Sequence, residues 1–155
     1  MTVFVDASDS GWGVVLCFNG ETRIFGGSWS GPERAMSINV RELSSARIAI
    51  RLAASQKTDD VHMVMHFNID NTSAQSWLQK QRAPVFVANA IVADVAAIAG
   101  HHNITIASIR HVASAWNPAD APSRARQPPV RTFREGTVEG NARGLGTRAP
   151  DPVRQ

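Results

Sequence analysis

The chain has 155 residues and a mass of 16.7 kDa, and its 43% hydrophobic and 19% charged residues exclude wholesale disorder and a fibrous protein. The single cysteine, Cys17, excludes a disulfide framework and a cysteine-cluster zinc site. The net charge of +3 suggests a polyanionic partner, although the excess of positive charge is confined to residues 124–155.

The first 30 residues predict three antiparallel strands. Residues 2–6 are β-branched and aromatic, and a turn-rich cluster at 7–11 ends this first strand. Residues 13–18 and 22–29 form the next two strands, and Asn19-Gly20 between them is a strong signal for a two-residue hairpin. The expected arrangement is an antiparallel meander.

After residue 30 the sequence alternates between helices and strands. Residues 40–54 have the period of a helix, with an apolar repeat on one face and Arg41, Arg47 and Arg51 on another. The other predicted elements follow in chain order: a strand at 61–69, helices at 72–79 and 85–99 with Gly100 as a C-cap, a strand at 104–109 and a short helix opening at Asn117-Pro118. This order predicts an α/β fold in which a mixed sheet carries helices on its faces.

The C-terminal end differs from the rest of the chain. Nine basic and ten acidic residues nearly balance over residues 1–123, whereas residues 124–155 hold seven arginines and three acids among frequent prolines and glycines. We therefore predict one domain at 1–126 and a flexible Arg/Pro/Gly-rich tail at 127–155, which either binds phosphates or keeps the chain end soluble. The sequence contains neither a signal-peptide pattern nor a run of about 18 apolar residues, so we expect an intracellular protein without a membrane partner.

Four acids lie at the ends of the predicted elements. Asp6 and Asp70 close the first and fourth strands, while Glu42 and Asp120 lie in the first turns of two helices. If the first and fourth strands are neighbours, Asp6 and Asp70 lie side by side. Clustered carboxylates repel one another, and Mg²⁺, which prefers carboxylate oxygens, removes that repulsion. Two such ions about 4 Å apart activate a water and stabilise the leaving oxygen of a phosphodiester.

Each acid also has a structural interpretation. Glu42 follows Asn39 by three residues, which fits a capping box. The segments Asp6-Ala7-Ser8 and Asp70-Asn71 fit turns or helix caps, and Asp120 fits a favourable interaction with a helix dipole. Four acids in this strand-helix order are harder to assign to capping than any one of them alone.

The segments around these acids resemble the ribonuclease H domain of reverse-transcribing elements. The matching segments are VDAS at 5–8 with GWG at 11–13, SINVREL at 37–43, IDNTSA at 69–74 and NPADAPSR at 117–124. The likeness is strongest to DIRS-like (tyrosine-recombinase) retroelements, followed by hepadnaviral and caulimoviral polymerases, and it runs from residue 2 to 126. It implies a ribonuclease H-like fold with a mixed five-stranded sheet, in which strands 1–3 are antiparallel and strands 4 and 5 parallel.

The resemblance also implies a reaction, which is endonucleolytic hydrolysis of the RNA strand of an RNA–DNA hybrid by two Mg²⁺ ions, with Mn²⁺ as a substitute. The implied catalytic and metal-binding residues are the four acids, Asp6, Glu42, Asp70 and Asp120. The implied substrate contacts are polar side chains near them, namely Ser8, Asn39, Asn71, Asn117 and Arg124. The expected partners are the hybrid and the reverse transcriptase domain of the same polyprotein, of which this chain would be a piece.

Two features depart from the family pattern. The loop at 113–116 lacks the histidine that cellular members place before the last acid, and His111 at the end of the preceding strand suggests a structural role. Residues 84–100 hold no Lys or Arg, so an isolated domain is expected to bind hybrid weakly. Trp116, next to the expected site, is a candidate for base stacking. The main alternative is a non-catalytic ribonuclease H-like module for nucleic-acid binding or scaffolding.

Overall fold

The computed structural model describes residues 1–58 and 61–124, together with the backbone of a strand at 131–134. Its first three strands are β1 (Thr2–Ala7), β2 (Gly11–Phe18) and β3 (Glu21–Ser28). They form the predicted antiparallel meander. Asn19 and Gly20 both have positive φ, 51° and 71°, as the predicted two-residue turn requires.

After the meander the chain contains all the predicted helices and strands, together with a short helix, a 3₁₀ turn and a sixth strand that were not predicted. In chain order they are α1 (Gly31–Arg34), α2 (Ile38–Ser55), β4 (Met63–Ile69), α3 (Thr72–Gln79), α4 (Phe86–His101), β5 (Ile104–His111), a 3₁₀ turn (Ser114–Trp116), α5 (Asp120–Arg124) and β6 (Arg131–Arg134). Within the described residues, no helix is both long and apolar enough to cross a bilayer. The helices and strands along the chain confirm the predicted α/β fold class.

The strands form one mixed sheet in the order β5-β4-β1-β2-β3-β6. The neighbours β1, β4 and β5 are parallel, and the other pairs are antiparallel, which confirms the expected five-stranded arrangement. The sixth strand, β6, pairs with the outer side of β3 and lies in the predicted flexible tail. Its four residues lack a strong local strand signal, and an open sheet edge supplies the pairing instead. Residues 127–130 and 135–155 of that tail lie outside the described residues.

The core lies between the sheet and helices α2 and α4. The apolar repeat of α2 is buried as predicted, since Leu43, Ala46, Ile50 and Ala53 are all inaccessible to solvent. These side chains pack with strand residues such as Phe67 of β4 and with the inner face of α4. Burial of this face fixes the rotation of α2 and therefore the direction in which its other residues point.

Three helix boundaries differ from the expected ones. Helix α2 begins at Ile38, so Glu42 lies in its second turn and not in its first. Helix α4 continues through Gly100, the expected C-cap, to His101. The residue with a left-handed backbone conformation after the helix is Asn103, with φ 51°. The last helix begins at Asp120, after Pro118.

Gly13 of β2 allows the start of α5 to lie directly on the sheet. A Cβ atom at this position would clash with the carbonyl oxygen of Ala119 and would lie 2.8 Å from the backbone nitrogen of Ser123. The close approach brings α5 against β2 and positions Asp120 at the end of the sheet. The glycine is therefore required for packing, because backbone atoms on the other side cannot move aside as a flexible side chain can.

We expect Gly13→Ala to lower the free energy of unfolding by about 2 kcal/mol or more, because the added methyl group overpacks two backbone segments. Gly100→Ala is the matched control, since a Cβ there meets nothing within 4 Å and lies inside a helix. This control is expected to leave stability unchanged or to raise it by up to about 1 kcal/mol. Urea denaturation measures both values, and equal effects of the two substitutions would contradict the packing of α5 on β2.

Candidate metal centre

Asp6 and Asp70 lie side by side at one end of the sheet. Strands β1 and β4 are parallel neighbours, and their register pairs Val5 with Ile69, the residues that directly precede the two acids. Asp6 is buried, with 2% of its surface exposed, and Asp70 is partly exposed. The predicted juxtaposition of these two carboxylates is confirmed.

Glu42 reaches the same place from α2. The backbone N–H of Ala7 donates to Glu42 Oε1 over 3.1 Å, and the Ser45 hydroxyl donates to the carbonyl oxygen of Asp6 over 3.0 Å. These two bonds fix α2 against the end of β1. The capping-box interpretation of Glu42 is therefore wrong, since its carboxylate binds a strand and the N-cap of α2 is Ser37.

The three carboxylates form a compact cluster. One oxygen from each of Asp6, Glu42 and Asp70 lies within 4.8 Å of the other two. Asp6 Oδ2 and Glu42 Oε2 are buried and have no hydrogen-bond partner among the described residues. Buried carboxylate oxygens left without partners are strongly unfavourable, and a divalent cation is the ligand that satisfies several of them together. These three residues can therefore hold a metal ion.

The electrostatics of the cluster lead to the same conclusion. Burial raises the pKa of Asp6 to about 6, and the charges of Asp70 and Asp120 add to this effect, while the Ser123 hydroxyl opposes it. Burial also raises the pKa of Glu42 to about 9, with further contributions from Asp70 and Asp6. Without a cation, the cluster must keep protons in order to limit the repulsion among its charges.

Asp120 lies next to this cluster but not within it. Its charge is close enough to raise the pKa of Asp6, which places it at the same end of the sheet. Its Oδ1 atom, however, accepts hydrogen bonds from Nε and Nη2 of Arg124 over 2.9 and 2.7 Å. The structure thus brings three of the four predicted ligands together and leaves the fourth beside them, paired with an arginine.

The residues expected to contact substrate fall into two groups. Ser8 and Asn117 are buried, and both already make internal bonds: Ser8 Oγ donates to the Ser123 carbonyl over 2.6 Å, and Asn117 Nδ2 donates to the Val5 carbonyl over 2.8 Å. They hold the β1–β2 turn and the loop before α5, which gives both side chains a structural role, and their role as substrate contacts stays a prediction. Arg124 is exposed and binds Asp120.

Asn39 and Asn71 form a pair beside the cluster. Asn71 Nδ2 donates to Asn39 Oδ1 over 2.9 Å, and Asn71 Oδ1 accepts the N–H of Ala74 as the N-cap of α3. The helix-cap interpretation is therefore confirmed for Asn71. The amide nitrogen of Asn39 makes no hydrogen bond within residues 1–58 and 61–124, so of the pair it is Asn39 that retains a donor for a ligand.

Arg41 is buried directly next to Glu42 in the chain, which the sequence pattern did not predict. It was expected on a polar face with Arg47 and Arg51, but only 8% of its surface is exposed. Its Nη1 donates to the Ser8 carbonyl over 3.0 Å, and its Nη2 donates to Asp9 over 2.8 Å. The only available signal is its position directly before Glu42, whose pKa its charge lowers in part.

Two further expectations concern residues at the rim of the site. The Nε2 atom of His111 lies 3.1 Å from the Asp70 carbonyl oxygen, which agrees with a structural role at the end of β5. Trp116 is exposed in the 3₁₀ turn, whereas Trp29 is buried in the fold. Trp116 therefore remains accessible to a ligand.

Comparison with known proteins does not assign the chain to a family. No family model matches the sequence, and no curated protein matches it. The side chains at the end of the sheet, with the sequence segments that carry them, are therefore what indicates a function.

The raised pKa values predict a pH dependence of stability in metal-chelating buffer. Burial raises the pKa of Glu42 to about 9, so the folded state retains this proton up to about pH 9, whereas the unfolded chain releases it near the ordinary pKa of 4.5. Folded protein therefore binds more protons in this window, and stability falls as pH rises through it. Glu42→Gln is neutral and keeps the acceptor for Ala7. We expect it to be more stable than the wild type by roughly 1–3 kcal/mol at pH 8 and almost equal at pH 5.

Thermal or urea unfolding in excess chelator at the two pH values measures this difference. Asp94→Asn, which removes a surface carboxylate on α4, is the matched control and is expected to show no such change with pH. A difference between wild type and Glu42→Gln that is the same at pH 5 and pH 8 would contradict the burial of an ionisable Glu42 at this site.

Proposed function

We propose that the chain is a metal-dependent ribonuclease H, an endonuclease that hydrolyses the RNA strand of RNA–DNA hybrids. The observation that carries the proposal is the convergence of Asp6, Glu42 and Asp70 from three separate elements, with two buried oxygens that have no partner in the described part of the chain. Capping and turn formation do not account for buried carboxylates that face one another. Their sequence contexts, together with the one around Asp120, carry the resemblance to the ribonuclease H domain of reverse-transcribing elements.

The donor set fits hard divalent cations such as Mg²⁺, with Mn²⁺ as a substitute, because all the available ligand atoms are carboxylate oxygens. Asp6, Glu42 and Asp70 would hold the first ion, and Asp120 would contribute to a second. When bound, such ions supply an activated water and stabilise the leaving oxygen of a phosphodiester. The protein keeps the ligands in place through the bonds from Ala7 to Glu42 and from Ser45 to the backbone of Asp6.

Substrate recognition is proposed at the polar groups on the rim of the site. The free amide donor of Asn39 lies beside the cluster and suits a 2′-hydroxyl or a base edge, and a 2′-hydroxyl is what distinguishes RNA from DNA. The exposed ring of Trp116 offers a stacking surface. We further infer that the protein acts inside the cell beside the reverse transcriptase domain of the same polyprotein, which would supply affinity for the hybrid.

The proposal predicts that Asp70→Asn abolishes cleavage of the RNA strand in an RNA–DNA hybrid, with a loss of at least about a thousandfold. The amide keeps the size of the side chain and removes its negative charge, and Asp70 is the most exposed member of the cluster, so the fold should survive. Asp94→Asn is the matched control, because it makes the same chemical change on α4 and should retain wild-type cleavage.

The assay uses hybrid labelled on the RNA strand, with Mg²⁺ and then with excess chelator. Cleavage by Asp70→Asn, or by the wild type in chelator, would contradict the proposal. If wild-type protein binds hybrid but does not cleave it under any metal condition, the non-catalytic binding module becomes the better account.

A further inference from the structure

Asp120 differs from the other acids of the site because it is paired with an arginine side chain. Arg124 follows it by four residues, one turn along α5, and directs Nε and Nη2 at the same oxygen, Oδ1. The side chain of Asp120 is 35% exposed and that of Arg124 is 65% exposed. Two charge-assisted hydrogen bonds to one oxygen form a well-defined contact even at a partly exposed position.

The other three acids lack such a partner. Asp6 Oδ2 and Glu42 Oε2 are without hydrogen-bond partners among the described residues. The buried guanidinium of Arg41 donates to the Ser8 carbonyl and to Asp9, and to none of the three clustered carboxylates. Among the residues that the structure describes, the site is therefore asymmetric: no arginine or lysine forms an ion pair with the three clustered carboxylates, whereas Asp120 is bound by an arginine from its own helix.

We propose that Arg124 is a positioning residue that takes the place of a second divalent cation at Asp120, so that the centre binds one ion tightly and a second ion only in competition with the guanidinium. This inference rests on the proposed function, because it assumes that the cluster of Asp6, Glu42 and Asp70 binds the first ion. Any second ion that uses Asp120 must compete for the oxygen that Arg124 holds. In the absence of that ion, Arg124 neutralises Asp120 and limits its repulsion of Asp6.

The inference is tested by titrating the full chain with Mn²⁺, followed by calorimetry or by the electron paramagnetic resonance signal of free Mn²⁺. The wild type is expected to bind one ion tightly and a second ion weakly. Arg124→Gln should bind the second ion about fivefold more tightly, which is the size expected for loss of a partly exposed ion pair, and leave the first ion nearly unchanged. This gain should shrink in high salt, because salt screens an exposed charge.

Two further variants separate the charge of Arg124 from general effects. Arg124→Lys retains a cation and should keep the second ion within about twofold of the wild type. Arg51→Gln makes the same change as Arg124→Gln on an exposed part of α2, nine residues or about 13 Å beyond Glu42 along the helix, and should behave as the wild type.

The outcomes distinguish this inference from the proposed function. If Arg124→Gln shows no second ion, binds it no more tightly than the wild type, or is matched by Arg124→Lys or Arg51→Gln, the role of Arg124 is wrong and the first metal site stands. If no variant binds even one Mn²⁺, the metal centre itself is wrong, and the proposed function fails together with the inference.

Discussion

The repulsion among carboxylates held close together away from water is the constraint on which the end of this sheet depends. Asp6 and Glu42 are buried, lie within 4.8 Å of each other and of Asp70, and have raised pKa values as a result. A fold that needed only stability would avoid such an arrangement, because apolar residues of similar size would be more favourable at buried positions. The surrounding structure instead fixes the carboxylates in place through Ala7 and Ser45.

The elements that create this arrangement are distant in sequence and depend on a few close contacts. Parallel pairing of β1 with β4 aligns Asp6 with Asp70, and burial of the apolar face of α2 directs Glu42 towards them. The absence of a side chain at Gly13 lets α5 approach β2, which brings Asp120 to the same end of the sheet. Arg124 then compensates the charge of Asp120. The fold thus brings acids from four separate segments to one end of the sheet.

Much of this could be predicted from the sequence where the signals are local. The Asn19-Gly20 hairpin, the period of α2 and the cap of α3 at Asn71 are all encoded within a few residues. The β6 strand could not be predicted, because it forms by pairing with a distant sheet edge. The burial of Arg41 could not be predicted either, since its acceptors belong to the β1–β2 turn and come near it only in three dimensions.

The most direct test of the central claim is a crystal structure of the full chain grown with Mn²⁺, with anomalous diffraction measured at a wavelength where manganese scatters strongly. The account predicts an anomalous peak bonded to carboxylate oxygens of Asp6, Glu42 and Asp70. A map with no anomalous density there, with the three side chains turned towards other partners, would contradict it.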